Sequence, residues 1–177
     1  MSYTTIKAIW PGEKHADHEE LRNAWGSAPV VWSALSECYL GSRHAWLLGE
    51  GKKLWQLAER PEIPALHRRV LMMTFDRAYV AKKDYAKAAA DIREFLRCFP
   101  QSDVGANHWP HIASLFESDP DIPAIGFYMT SVSDDPFRGP FNEETDAYEP
   151  TDWASCFSVY DEPEPFAGED TSNAKPD

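Results

Sequence analysis

The chain has 177 residues, 43% of them apolar and 13% aromatic, with seven Trp and nine Phe. That length reads as one domain, able to bury roughly 68–70% of its unfolded surface without a covalent staple, and the apolar share excludes a disordered chain. The formal charge of −12 is uneven: residues 134–177 hold thirteen acids against Arg138 and Lys175, while residues 1–133 hold sixteen acids against fifteen bases.

An acidic segment of this kind repels nucleic-acid phosphates and anionic lipid and attracts a basic protein; solubility alone is the plainer reading of the same charge. Direct nucleic-acid binding is therefore not expected. No apolar run approaches the roughly eighteen residues a bilayer requires, so no membrane contact is expected either. Residues Met1–Ile6 lack the charged and apolar regions of a secretory signal. Cys38, Cys98 and Cys156 are far apart and odd in number, which fits a reducing cytoplasm rather than a disulfide framework.

Tyr3 to Trp10 alternates polar and apolar residues and predicts a first strand, ended by Pro11-Gly12. Asp17 with Glu20 three residues later has the form of a capping box, predicting a helix through Leu21, Ala24 and Trp25 that closes at Gly26. Ser27 and Pro29 then open a second helix carrying Val31, Ala34, Leu35 and Cys38, stopped by Gly41. A third, short helix is expected over Lys52 to Glu59, bounded by Pro61 and Pro64. The apolar run Val70–Phe75 reads as a buried strand, although a helix starting at Ala65 also fits.

The strongest periodicity follows. Tyr85, Ala88, Ala89, Ile92, Phe95, Leu96 and Phe99 recur at steps of three and four behind Asp84, predicting an amphipathic helix that stops at Pro100. Asn107 is placed to cap a further helix with Ile112, Leu115 and Phe116. Ala124 to Val132 reads as a strand buried on both faces, with Gly126 marking a bulge or a close approach. Residues 134–150 read as a long acidic loop, and Trp153–Tyr160 as a last strand. The expectation is an α+β domain over residues 1–161, with helices covering a small, largely antiparallel sheet, and a disordered acidic tail over 162–177.

Candidate chemistry is sparse. His15/His18 and His108/His111 each have the spacing of one helical turn, but no zinc-ligand motif accompanies them, so surface or capping roles fit better and no metal or cofactor is implied. Gly49-Glu50-Gly51-Lys52-Lys53 lacks the spacing and the Ser/Thr of a phosphate loop and reads as a turn. Asp76 and Arg77 follow an apolar run, where an acid and a base could serve an enzyme; a turn Asp and a surface Arg is the simpler account.

The segment Asp134–Glu164 interleaves carboxylates with Phe137, Phe141, Tyr148, Trp153, Phe157 and Tyr160. Aromatics rimmed by acids anchor and steer a basic partner, although the same rings could instead pack the segment onto the body. The candidate contact set is Asp134, Asp135, Phe137, Glu143, Glu144, Asp146 and Trp153. The function expected is a non-catalytic cytoplasmic protein-binding module, in concrete form an immunity or inhibitor protein that neutralises a basic toxin or a nucleic-acid enzyme. The alternative is a small enzyme whose cleft contains Asp76, Arg77 and His108/His111.

Overall fold

The computed structural model describes residues 2–11, 14–100, 106–118, 121–129, 135–149 and 155–160. Among them the chain runs β1 (Tyr3–Trp10), β2 (Lys14–Arg22), α1 (Ala28–Leu40), α2 (Gly51–Gln56), α3 (Ala65–Met72), β3 (Ala78–Ala81), α4 (Tyr85–Cys98), α5 (Trp109–Glu117), β4 (Ala124–Tyr128), β5 (Phe141–Asn142), β6 (Ala147–Tyr148) and β7 (Phe157–Ser158). Five strands form one sheet in the order β2-β1-β4-β3-β7, antiparallel except for the β3–β7 pair, and β5–β6 form a separate hairpin. The expected α+β class with a largely antiparallel sheet is the class observed.

Strand alternation divides the sheet into two faces. Ile6 and Ala8 of β1, Ile125 and Phe127 of β4, and Ala78 and Val80 of β3 join the main core with residues from all five helices. The opposite face carries Lys7, Ile9 and Gly126, and Phe137 packs onto it. Gly126 is the close approach expected of it. A Cβ there would lie 2.5 Å from Phe137 Cζ and 3.0 Å from Ile9 Cδ1, so only a bare Cα leaves room for the ring.

The helix expected from Asp84 is α4, and its stripe Tyr85, Ala88, Ala89, Ile92 and Phe95 is buried. The Asp84 side chain does not cap it. In α1 the C-terminal stop is also as expected, with Gly41 in the left-handed region at φ +77°. The Asn107 carboxamide accepts the Trp109 N–H at 3.0 Å at the start of α5.

Three expectations are corrected. Residues 14–22 are the edge strand β2, not a capped helix: Asp17 pairs across the ladder with Lys7, and a register shift lies beside it. A charged edge strand shows few apolar residues, because only Leu21 of β2 reaches the core. Residues Val70–Phe75 are not a strand, because α3 extends to Met72; Val70, Leu71 and Met73 are all buried, which erases the helical period. The acidic loop is not a plain loop, since β5 and β6 pair Phe141 with Tyr148 within it. The tail over 162–177 lies outside the described residues. No described helix is long and apolar enough to cross a membrane.

Candidate functional site

The acidic segment divides into a buried root and an exposed tip. At the root, Phe137 is fully buried, so its ring belongs to the fold and is not an accessible anchor. Asp135 is likewise committed to structure. Its Oδ2 lies 2.5 Å from the Nζ of Lys7, which is only 2% exposed and also contacts Asp17 at 2.5 Å. The Asp135 Oδ1 accepts the backbone N–H of Phe137. Two carboxylates compensate the desolvated ammonium, and the Asp135 contact fastens residues 135–137 to the sheet. His15 packs 6.4 Å from the Phe137 ring, and burial, then the Lys7 ammonium, lower its pKa.

The tip is the β5–β6 hairpin. The Asn142 side-chain oxygen accepts the N–H groups of Glu144 and Thr145, and Asp146 takes φ +53°, a conformation that Asp tolerates better than most residues. Phe141 and Tyr148 face each other with centroids 5.2 Å apart and are 49% and 57% exposed. Glu143, Glu144 and Asp146 lie in the turn that joins β5 to β6, all exposed and without an ion pair among the described residues. Arg138 stacks over Tyr148 at 5.3 Å. Asp134 and Trp153 lie outside the described residues.

The residues of the enzyme alternative are not brought together. The Nε2–H of His108 donates to the Arg22 carbonyl at 2.8 Å, and a Cβ on Gly26 would meet the His108 ring at 2.9 Å. His108 thus locks the start of α5 to the turn after β2. His111 pairs with Glu19 of β2 at 2.9 Å. Arg77, at φ +67°, hydrogen-bonds Ser155 through Nη1, and its carbonyl accepts the Phe157 N–H. Asp76 lines a cavity whose walls, among the described residues, include neither Arg77, His108 nor His111. Among the described residues no group of three or more His, Cys, Asp and Glu is placed to hold a metal.

The cavity holding Asp76 belongs to a feature that the sequence reading missed. Trp25, Trp46, Trp32, Trp55 and Phe75 form a continuous chain of rings, with successive centroids 6.0, 5.0, 5.1 and 5.7 Å apart. Trp32 lies on α1 beside, not within, the buried row Val31, Ala34 and Leu35, and Trp55 of α2 is displaced in the same way from Leu54. Gly49, at φ +91°, breaks the turn before α2 and leaves Leu47 and Leu48 exposed. The available signal was a large apolar residue on the outer side of each of two helices. Trp25, Trp32, Trp46 and Trp55, four of the seven Trp, fall within thirty-one residues.

Comparison with family models, curated proteins and solved structures finds no match to this chain. Function is therefore read from the sites alone.

Proposed function

We propose that this chain is a non-catalytic, cytoplasmic protein-binding module that engages a basic partner through the β5–β6 hairpin, in the manner of an immunity or inhibitor protein. The carrying observation is the exposed Phe141–Tyr148 pair on a hairpin whose turn carries exposed Glu143, Glu144 and Asp146, which make no ion pair among the described residues. Exposed aromatics supply contact area at a hot spot, and nearby like charges steer an oppositely charged surface toward it. Cys38, Cys98 and Cys156 form no disulfide among the described residues, which supports a reducing location. A short acidic hairpin is too small to imitate a run of nucleic-acid phosphates, so a compact basic patch on the partner is a better target than an extended nucleic-acid groove.

Paired affinity capture tests this reading. Wild-type protein and a Glu143→Gln, Glu144→Gln, Asp146→Asn, Phe141→Ala variant are exposed to the same native extract. A basic protein retained by the wild type and lost from the variant supports the hairpin as the contact. Equal retention removes the hairpin from the interface.

A further inference from the structure

We propose that the cavity between α1, α2 and the α3–β3 turn binds an organic cation of the quaternary or alkylated ammonium class. This site is separate from the hairpin and does not depend on the reading given to it. Its lining is Trp32, Trp55, Thr74, Phe75, Asp76 and Met129, around a volume of about 320 Å³. That size lies at the low end of small-molecule sites, roughly 300–1,000 Å³.

The walls have the geometry of a box. The Trp32 and Trp55 rings are inclined at 75°, and the Trp55 and Phe75 rings at 88°. Three rings set at steep angles to one another line one cavity and bound it from different directions, the arrangement by which an aromatic cage holds a cation against several ring quadrupoles. The box is held before any ligand arrives. Trp32 Nε1–H donates to Thr74 Oγ1 at 2.8 Å, and the Thr74 hydroxyl donates in turn to the Leu71 carbonyl at 2.6 Å. Trp46 packs behind Trp32 at 5.0 Å, and its indole N–H donates to Ser33 Oγ at 3.2 Å.

Charge selects the occupant. Asp76 is the only ionisable group in the lining, and its carboxylate makes no hydrogen bond or ion pair among the described residues. Asp76 is exposed on the lining; partial burial of its carboxyl raises its pKa, an effect that Arg77 partly opposes, and a cation beside it would favour the ionised form. Hydrogen bonding narrows the class. The Thr74 hydroxyl already accepts one bond and donates another, which leaves Asp76 as the main open acceptor on the lining side chains. A primary ammonium brings three N–H donors and a strongly held hydration shell. A trimethylammonium group has no donor to satisfy and presents methyl groups to the rings, so the shortage of acceptors favours it.

The test follows the indole N–H resonances of Trp32 and Trp55 in the full chain during titration with choline. The control ligand is choline's tert-butyl analogue, in which carbon replaces the nitrogen. Saturable shifts with choline, and binding of the neutral analogue weaker by roughly tenfold or more, are expected. Asp76→Asn should weaken choline by roughly tenfold while the melting temperature holds, because an exposed carboxylate is replaced by an amide of the same shape. Trp55→Leu should also weaken choline, since it removes one wall. A parallel titration with trimethyl-lysine amide identifies the source of the head group: tighter binding than choline points to a modified side chain, and weaker binding to a free small molecule. No saturable shift with either cation at tens of millimolar, equal affinity for the neutral analogue, or unchanged affinity in a folded Asp76→Asn protein would overturn the site.

Discussion

Phe137 occupies the space that a side chain on Gly126 would need. Its Cζ lies 2.5 Å from the position of a Cβ there, and the ring is completely buried. Gly126→Ala should therefore destabilise the protein by about 1–3 kcal/mol through overpacking. In a Phe137→Leu background the same change should cost less, because the ring atoms that meet the new methyl are gone. Urea unfolding of the two single variants and the double variant measures this coupling. Simple additivity would mean that the ring moves aside without cost.

Lys7 provides a second, electrostatic attachment for the same segment. Asp135 is 13% exposed and Asp17 about half exposed, so Lys7→Met strands the Asp135 carboxylate more severely than the Asp17 one. Arg138 lies 3.5 Å from Asp135 but is half exposed, and it compensates weakly. Lys7→Met should cost about 3–5 kcal/mol, as when one partner of a buried pair is removed. Adding Asp135→Asn should restore part of that loss. A double variant less stable than Lys7→Met would show that Asp135 acts through hydrogen bonds alone.

Legibility in the sequence followed the strength of local pattern. The helix α4 was readable because one buried face left a clean period, and the strand β1 because its polar and apolar residues alternate in sequence, although both of its faces are buried. The strand β2 was not, since its charges are satisfied by residues distant in sequence: Asp17 by Lys7, and Glu19 by His111 of α5. Those pairings override the helical signal of Asp17 and Glu20. The aromatic box was hidden for a related reason. Its walls come from α1, α2 and the α3–β3 turn, and no local spacing unites Trp32, Trp55 and Phe75. Asp76 was singled out only under the enzyme alternative, with a turn Asp as the simpler account, beside histidines that the fold places elsewhere.

His67 gives a pH dependence with a definite sign. The residue is buried on α3 against Phe95 and Phe99, and its Nδ1 shares a 2.7 Å hydrogen bond with the Tyr39 hydroxyl. Burial lowers its pKa below 6.5. Between that lowered value and 6.5 the unfolded chain binds the proton more readily, so stability rises with pH. The contribution is complete above about pH 6.5 and is lost as pH falls through the folded value. Burial and Lys7 give His15 the same sign, whereas the raised pKa of Asp76 opposes it. His67→Gln should flatten the dependence of unfolding free energy on pH on the acid side of about pH 6.5, read by urea titration at each pH. An unchanged slope would show that His67 ionises in place.

Charge and contact on the hairpin should separate kinetically. Glu143, Glu144 and Asp146 are solvated, so Glu143→Gln, Glu144→Gln and Asp146→Asn together should leave the free protein as stable as before, or slightly more stable as repulsion is removed. Against the captured basic partner, the association rate should fall and its dependence on salt should weaken, because exposed charges steer over a screening length of about 8–10 Å. Phe141→Ala should act differently. Phe141 is half exposed and leans on Tyr148, so removing its ring should chiefly raise the dissociation rate and leave the salt slope unchanged. Stopped-flow association and dissociation across a salt series distinguishes the two effects. If the charge variant slowed nothing and the ring variant released nothing faster, the hairpin would be a surface feature of the fold and the partner would have to engage another face.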